Sequence, residues 1–196
     1  MLSDYSSHLR ERVLELLARV SANERPDIYV VHLALAAAAS DPRYRLVAVA
    51  ANTEAHARAS RERARDERAR MAAGWAPEGF AHPCLGVLGD PLTDPPGAER
   101  WRAYATTALG GWEDAEGADP DDDAVWHLHS AFLGEVTRTA RALHADGLAA
   151  LLGRDAVTSI DTDVADDPLV LCNQQANPRP LPPDALAWYR VREEAG

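Results

Sequence analysis

Leu9, Val13, Leu16, Leu17 and Val20 recur at the three- and four-residue steps of one helical face, while Arg10, Arg12, Glu15 and Arg19 point elsewhere. The spacing predicts an amphipathic helix over 4–22, capped by Ser3 or Asp4 and broken by Pro26-Asp27. The next run, Ile28 to Leu35, opens with β-branched and aromatic residues and reads as a strand. Ala34–Ala39 is equally compatible with helix. Ser40-Asp-Pro-Arg is turn chemistry, and Tyr44–Ala51 is a second strand. So short a connection predicts an antiparallel hairpin, because a parallel crossover takes a dozen residues or more.

Asn52 or Thr53 is placed to cap a helix over 54–73, which Gly74 would end. Residues 75–97 are dense in Pro and Gly and read as an irregular excursion packed by Trp75, Phe80 and Trp101. A short helix over 98–109 follows. Glu113 to Asp123 then holds seven acids and no base, which predicts a mobile acidic loop. Asp122 or Asp123 would cap a helix to about 145, striped by Val125, His129, Phe132, Val136, Ala140 and Leu143. Residues 156–164 alternate like a half-buried strand. A short helix from 168 to 173 and a last one over 184–194 complete the pattern. The expected fold is α+β: a mainly antiparallel sheet with helices packed on it, one domain over 1–196.

Composition narrows the functional classes. All 20 basic residues are Arg, a bias of GC-rich coding that weakens any argument from Arg abundance alone. The formal net charge of -11 argues against nucleic-acid binding, which relies on cations neutralising phosphates, and favours a protein partner with a basic surface. Cys84 and Cys172 form no CxxC or disulfide framework, which fits a cytoplasmic protein with free thiols. No secretory leader is evident at Met-Leu-Ser-Asp-Tyr, and the apolar run 28–39 is too short to span a bilayer, so no membrane association is expected.

Three local features are the hairpin ending in Asn52-Thr53-Glu54, Gly153 leading into the strand at 156–164 with Asp166-Asp167, and Asn177-Pro178. Together with the order of elements, they make residues 8–180 resemble an uncharacterised bacterial family, domain of unknown function 4303. The excursion at 75–97 departs from that family's pattern. The resemblance implies a small α+β domain, supplies no catalytic residues, and points to proteins found near toxin–immunity loci.

The candidate chemistry falls into a few clusters. Asp119, Asp121, Asp122 and Asp123 would present a partner-binding surface, or serve only as a solubilising loop. Arg58, Arg61, Arg65 and Arg68 are spaced to form one cationic helix stripe, for a partner, a phosphate, the acidic loop or merely solvent. His127 and His129 are the metal candidates by residue type, although i and i+2 on a helix point about 200° apart. The plain alternative for His129 is a hydrogen-bonded core histidine. Asp161 and Asp163 share a strand face and suit an oxygen-seeking cation. If Val157 and Ser159 share that side, it is simply the solvent face. His82-Pro83-Cys84 pairs a base with a nucleophile type, but its plain reading is a structural thiol.

No Walker A, GxGxxG, GxSxG or HExxH motif occurs. The leading expectation is therefore a non-enzymatic protein-binding module of the immunity type, with no cofactor. The competing one is a metal-dependent enzyme acting on a small charged substrate, with a divalent metal as cofactor. The tryptophans also leave room for a homodimer contact.

Overall fold

A computed structural model describes residues 3–38, 41–110, 112–116, 122–162, 164 and 167–195. Asp119, Asp121, Asp163 and Asp166 lie outside them. Helix α1 (Asp4–Ala18) is capped by Ser3, whose side chain accepts from the Ser6 N–H. Strands β1 (Ile28–Ala38) and β2 (Asp41–Thr53) form the expected antiparallel hairpin. The alanine run ambiguous in sequence is strand as far as Ala38. It lies along β2, which pairs with it up to Ala38, so ladder hydrogen bonds override alanine's weak strand preference.

The predicted helix 54–73 is two helices, α2 (Glu54–Arg63) and α3 (Glu67–Trp75). Ala64 is extended, and Asp66 restarts the helix by accepting from the Ala69 N–H at 2.8 Å. The break turns α3 so that Trp75 is buried edge-on against Tyr29, whose hydroxyl donates to the Gly74 carbonyl. Strand β3 (His82–Leu88) arises inside the excursion that Pro and Gly had marked as irregular. It pairs antiparallel with β2 and forms one edge of the sheet, where Pro83 is tolerated for lack of an inner ladder partner.

Beyond β3 come α4 (Pro95–Tyr104), a π-helical turn over Ala105–Leu109, and the long α5 (Asp123–Ala145), capped as expected by Asp122. A short α6 (Leu148–Leu152) precedes β4 (Val157–Thr162). Then come α7 (Leu169–Ala176) and α8 (Pro183–Ala195). The sheet order is β3-β2-β1-β4, and β4 runs parallel to β1. The α+β expectation holds, with one parallel pair in a mostly antiparallel sheet.

Both faces of this sheet are covered. Val31, Leu33, Leu35, Val47, Val49 and Ile160 pack on one side with the apolar faces of α1 and α5. Tyr5, Trp101 and Phe132 meet there at centroid distances of 4.9–5.7 Å. Tyr29, Val30 and Ala50 pack on the other side with Trp75, Phe80 and Tyr189. The three aromatics expected to pack the excursion thus divide between two cores.

The second face of β4 is not a solvent face. Ser159 is buried and Asp161 nearly so, because α8 lies across them. Among the described residues no helix is long and apolar enough to cross a membrane.

Candidate functional site

Asp122 and Asp123 are exposed at the start of α5. Glu113, Asp114 and Glu116 are exposed on a turn segment over 112–116. That segment is anchored by Trp112, which is buried edge-on against Tyr44 and lies under the Arg43 guanidinium at 4.9 Å. Arg43 also donates to the Trp112 carbonyl at 3.3 Å, and Arg45 donates to the Val125 carbonyl at 3.3 Å. Two arginines on one face of β2 therefore seat the turn segment and the first turn of α5. Between the acids of that first turn and His127 stands Trp126, 36% exposed.

The two histidines of α5 go separate ways. His127 is exposed, while His129 is buried with its Nε2 2.6 Å from the Asp167 carboxylate and its ring edge-on to Trp126. Asp161 is committed within the fold, accepting from Arg192 of α8 at 3.2 Å and from its neighbour's N–H at 2.9 Å. Among the described residues no group of three His, Cys, Asp or Glu is placed to hold a metal ion.

The arginine stripe is divided by the α2–α3 break. Arg58 stands on α2, Arg65 in the connection and Arg68 on α3, all exposed. Arg61 instead lies over Gly74 and pairs with Asp184 at 3.3 Å. Cys84 is exposed on β3, and Cys172 is buried with its thiol pKa raised by burial.

Two polar arrangements arise only in three dimensions. Across the β1–β4 register, His32 Nδ1 lies 2.7 Å from Ser159 Oγ, which accepts from the Tyr189 hydroxyl at 2.6 Å. Among the described residues His32 Nε2 has no hydrogen-bond partner, and burial lowers the His32 pKa to about 4, so the ring is neutral near pH 7. The trio is sealed from solvent and serves the core.

The second is a cleft of about 410 Å³ where β4 begins. Glu54 enters it from the start of α2, Arg154 to Val157 from the α6–β4 connection, and Asn177 to Pro182 from the α7–α8 connection. Tyr29 and His144 complete the lining. Arg154 pairs with Glu54 at 3.4 Å, and Arg179 with Asp155 at 2.8 Å. His144 Nε2 sits 2.9 Å from Thr158 Oγ1, and burial lowers its pKa.

Three segments singled out separately in the sequence, Glu54, the stretch after Gly153 and Asn177-Pro178, thus meet in one place. Its charged residues were missed as a group. The available signal was charge held between chain breakers, as in Gly153-Arg154-Asp155 and Pro178-Arg179-Pro180.

The fold and these sites define an α+β protein with an acidic, tryptophan-bearing face and a separate charged cleft. No family model, curated protein or solved structure matches the chain.

Proposed function

We propose that the protein works by binding another protein, in the manner of a toxin-immunity protein, through the face around the first turn of α5. The observation that carries this reading is Trp126, exposed on the first turn of α5 within four residues of the exposed Asp122 and Asp123. A large exposed aromatic among charged residues is the residue type that dominates binding hot spots. Carboxylates around it steer a basic partner and raise the association rate more than the final affinity. The net charge of -11 extends that attraction over the whole molecule. The resemblance to a family found near toxin–immunity loci supports the same reading. The partner is a protein with a basic surface and an apolar pocket for the indole.

A photo-crosslinking residue at position 126, in the cells that make the protein, tests this, with the same residue at exposed Arg19 as control. Position 126 should capture one basic protein that the control does not. Binding of that protein, once purified, should weaken with added salt and with the double change Asp122→Asn and Asp123→Asn. Equal capture at both positions, or binding indifferent to the neutralised acids, would end the reading.

A further inference from the structure

We infer that the cleft at the start of β4 is a binding site for a small zwitterion of the amino-acid or dipeptide type, independent of the protein-binding face. Its volume of about 410 Å³ falls within the range of small-molecule sites, roughly 300–1,000 Å³. Its lining divides into an apolar part and a charged part. Tyr29, Val157 and Leu181 offer the apolar wall. Arg154, Arg179, Glu54 and Asp155 supply two positive and two negative charges in alternating pairs.

This balance selects the ligand class. A simple anion on either arginine would lie against the like charge of the carboxylate already paired there, at 3.4 Å for Glu54 and 2.8 Å for Asp155. A simple cation on either acid would lie against the paired guanidinium in the same way. A zwitterion exchanges with both members of a pair at once: its carboxylate takes a guanidinium and its ammonium takes the freed carboxylate. The exchange is easy at Arg179 and Asp155, which are 76% and 61% exposed and so weakly held. Arg154 is better ordered, because its Nε also donates to the Asp155 carbonyl at 3.3 Å. It is therefore the pre-positioned carboxylate anchor, and Arg179 the mobile second arm.

The floor of the cleft is rigid. Asn177 is bound on both sides to the β4 backbone, and Arg141 donates to the Asn177 carbonyl at 2.5 Å. His144, held near Thr158, contributes a neutral polar wall near pH 7, since burial lowers its pKa. It leaves the charge balance of the four ionic groups undisturbed.

An amide-resolved NMR titration of the intact protein tests the inference with three probes: leucine, N-acetyl-leucine, which keeps only the carboxylate, and leucinamide, which keeps only the ammonium. Leucine at millimolar concentration should shift the amides of Arg154 to Val157 and Leu181 in a saturable way. The two single-charge probes should bind about two- to fivefold more weakly, the equivalent of one lost exposed ion pair. Arg179→Gln, at an exposed position that leaves the fold intact, should weaken leucine binding, and Arg154→Gln should weaken it further. Equal binding of all three probes, saturation by inorganic phosphate instead, or no saturable shift in the cleft would overturn it.

Discussion

Asn177 grips Thr158 by both of its backbone polar groups: its amide Nδ2 donates to the Thr158 carbonyl at 2.7 Å, and its Oδ1 accepts from the Thr158 N–H at 2.9 Å. Four residues earlier in the chain, Asn173 repeats the contact on Ile160, at 2.8 and 2.7 Å. The match is one of pitch. Four residues of α-helix rise about 6 Å, and two residues of strand rise about 6.6 Å. Helix α7 therefore acts as a surrogate strand along the outer edge of β4, satisfying groups that would otherwise template aggregation. Alanine at either position would leave a buried N–H and a buried carbonyl unpaired. Asn177→Ala and Asn173→Ala should each lower stability by about 3 kcal/mol. Urea unfolding measures this, and a loss below about 0.5 kcal/mol for both would show that α7 does not seal the edge.

Acid should destabilise the protein through His32 in a defined window. Burial lowers its folded pKa from 6.5 to about 4, against smaller opposing effects of Asp161 and Glu78. Between those values the unfolded chain binds the proton and the folded chain does not, so stability is full above pH 6.5 and falls as pH drops towards 4. The shift amounts to roughly 3 kcal/mol. His144, also lowered by burial, adds loss of the same sign below pH 6.5. Glu135, whose pKa burial alone would raise but hydrogen bonds from Ser3, Ser6, Arg138 and Tyr104 together lower, adds its loss below 4.5. Unfolding free energies at several pH values, compared with His32→Gln, isolate the first effect. An unchanged slope between pH 6.5 and 4.5 in the variant would refute it.

His129 Nε2 lies 2.6 Å from the Asp167 carboxylate, with both residues almost fully buried. Asp167→Ala leaves Nε2 of the imidazole buried and unpaired, so a loss of about 2 kcal/mol is expected. His127→Ala, at an exposed position on the same helix, should change stability by less than about 0.5 kcal/mol. Thermal or urea unfolding of the two variants distinguishes them, and similar losses would contradict the division of roles between the two histidines.

Gly89 follows β3 with φ at +80°, and a Cβ there would lie 2.5 Å from the Arg45 carbonyl oxygen. Backbone rather than a flexible side chain meets the added atom. Gly110 also has a positive φ, at +69°, but faces open space. Gly89→Ala should therefore be the more damaging change, by about 2 kcal/mol or more, with Gly110→Ala limited to the conformational strain of about 1 kcal/mol. Equal losses would mean that the approach to Arg45 relaxes freely.

Local chemistry made much of this architecture legible. Ser3 and Asp122 cap their helices because a side-chain oxygen reaches the N–H two or three residues ahead, a relationship contained within a few residues. The β1–β2 hairpin follows equally from two strand runs and a short turn. His129 was readable as a core histidine because it falls on the apolar stripe of α5. The same local rules failed where a distant partner decided the outcome. Pro83 and Gly86 read as breakers, yet their segment is a strand because β2 offered an open edge and α1 came close enough for Leu16 to meet Gly86. The helix expected over 54–73 broke because Asp66 supplies a second cap and Trp75 is buried against Tyr29.

By itself, then, the sequence determined the secondary structure with local causes, the acidic balance and the α+β class. Tertiary structure alone decided that β4 lies parallel to β1, that Ser159 meets His32, and that Asn173 and Asn177 close the sheet edge. It also decided that Glu54 and Arg154, 100 residues apart, face each other in a cleft. The physical reason is range. Caps and alternation are set by energies acting within a turn or a strand, whereas these pairings form only when the packing of both sheet faces brings distant segments together, and no local pattern records that.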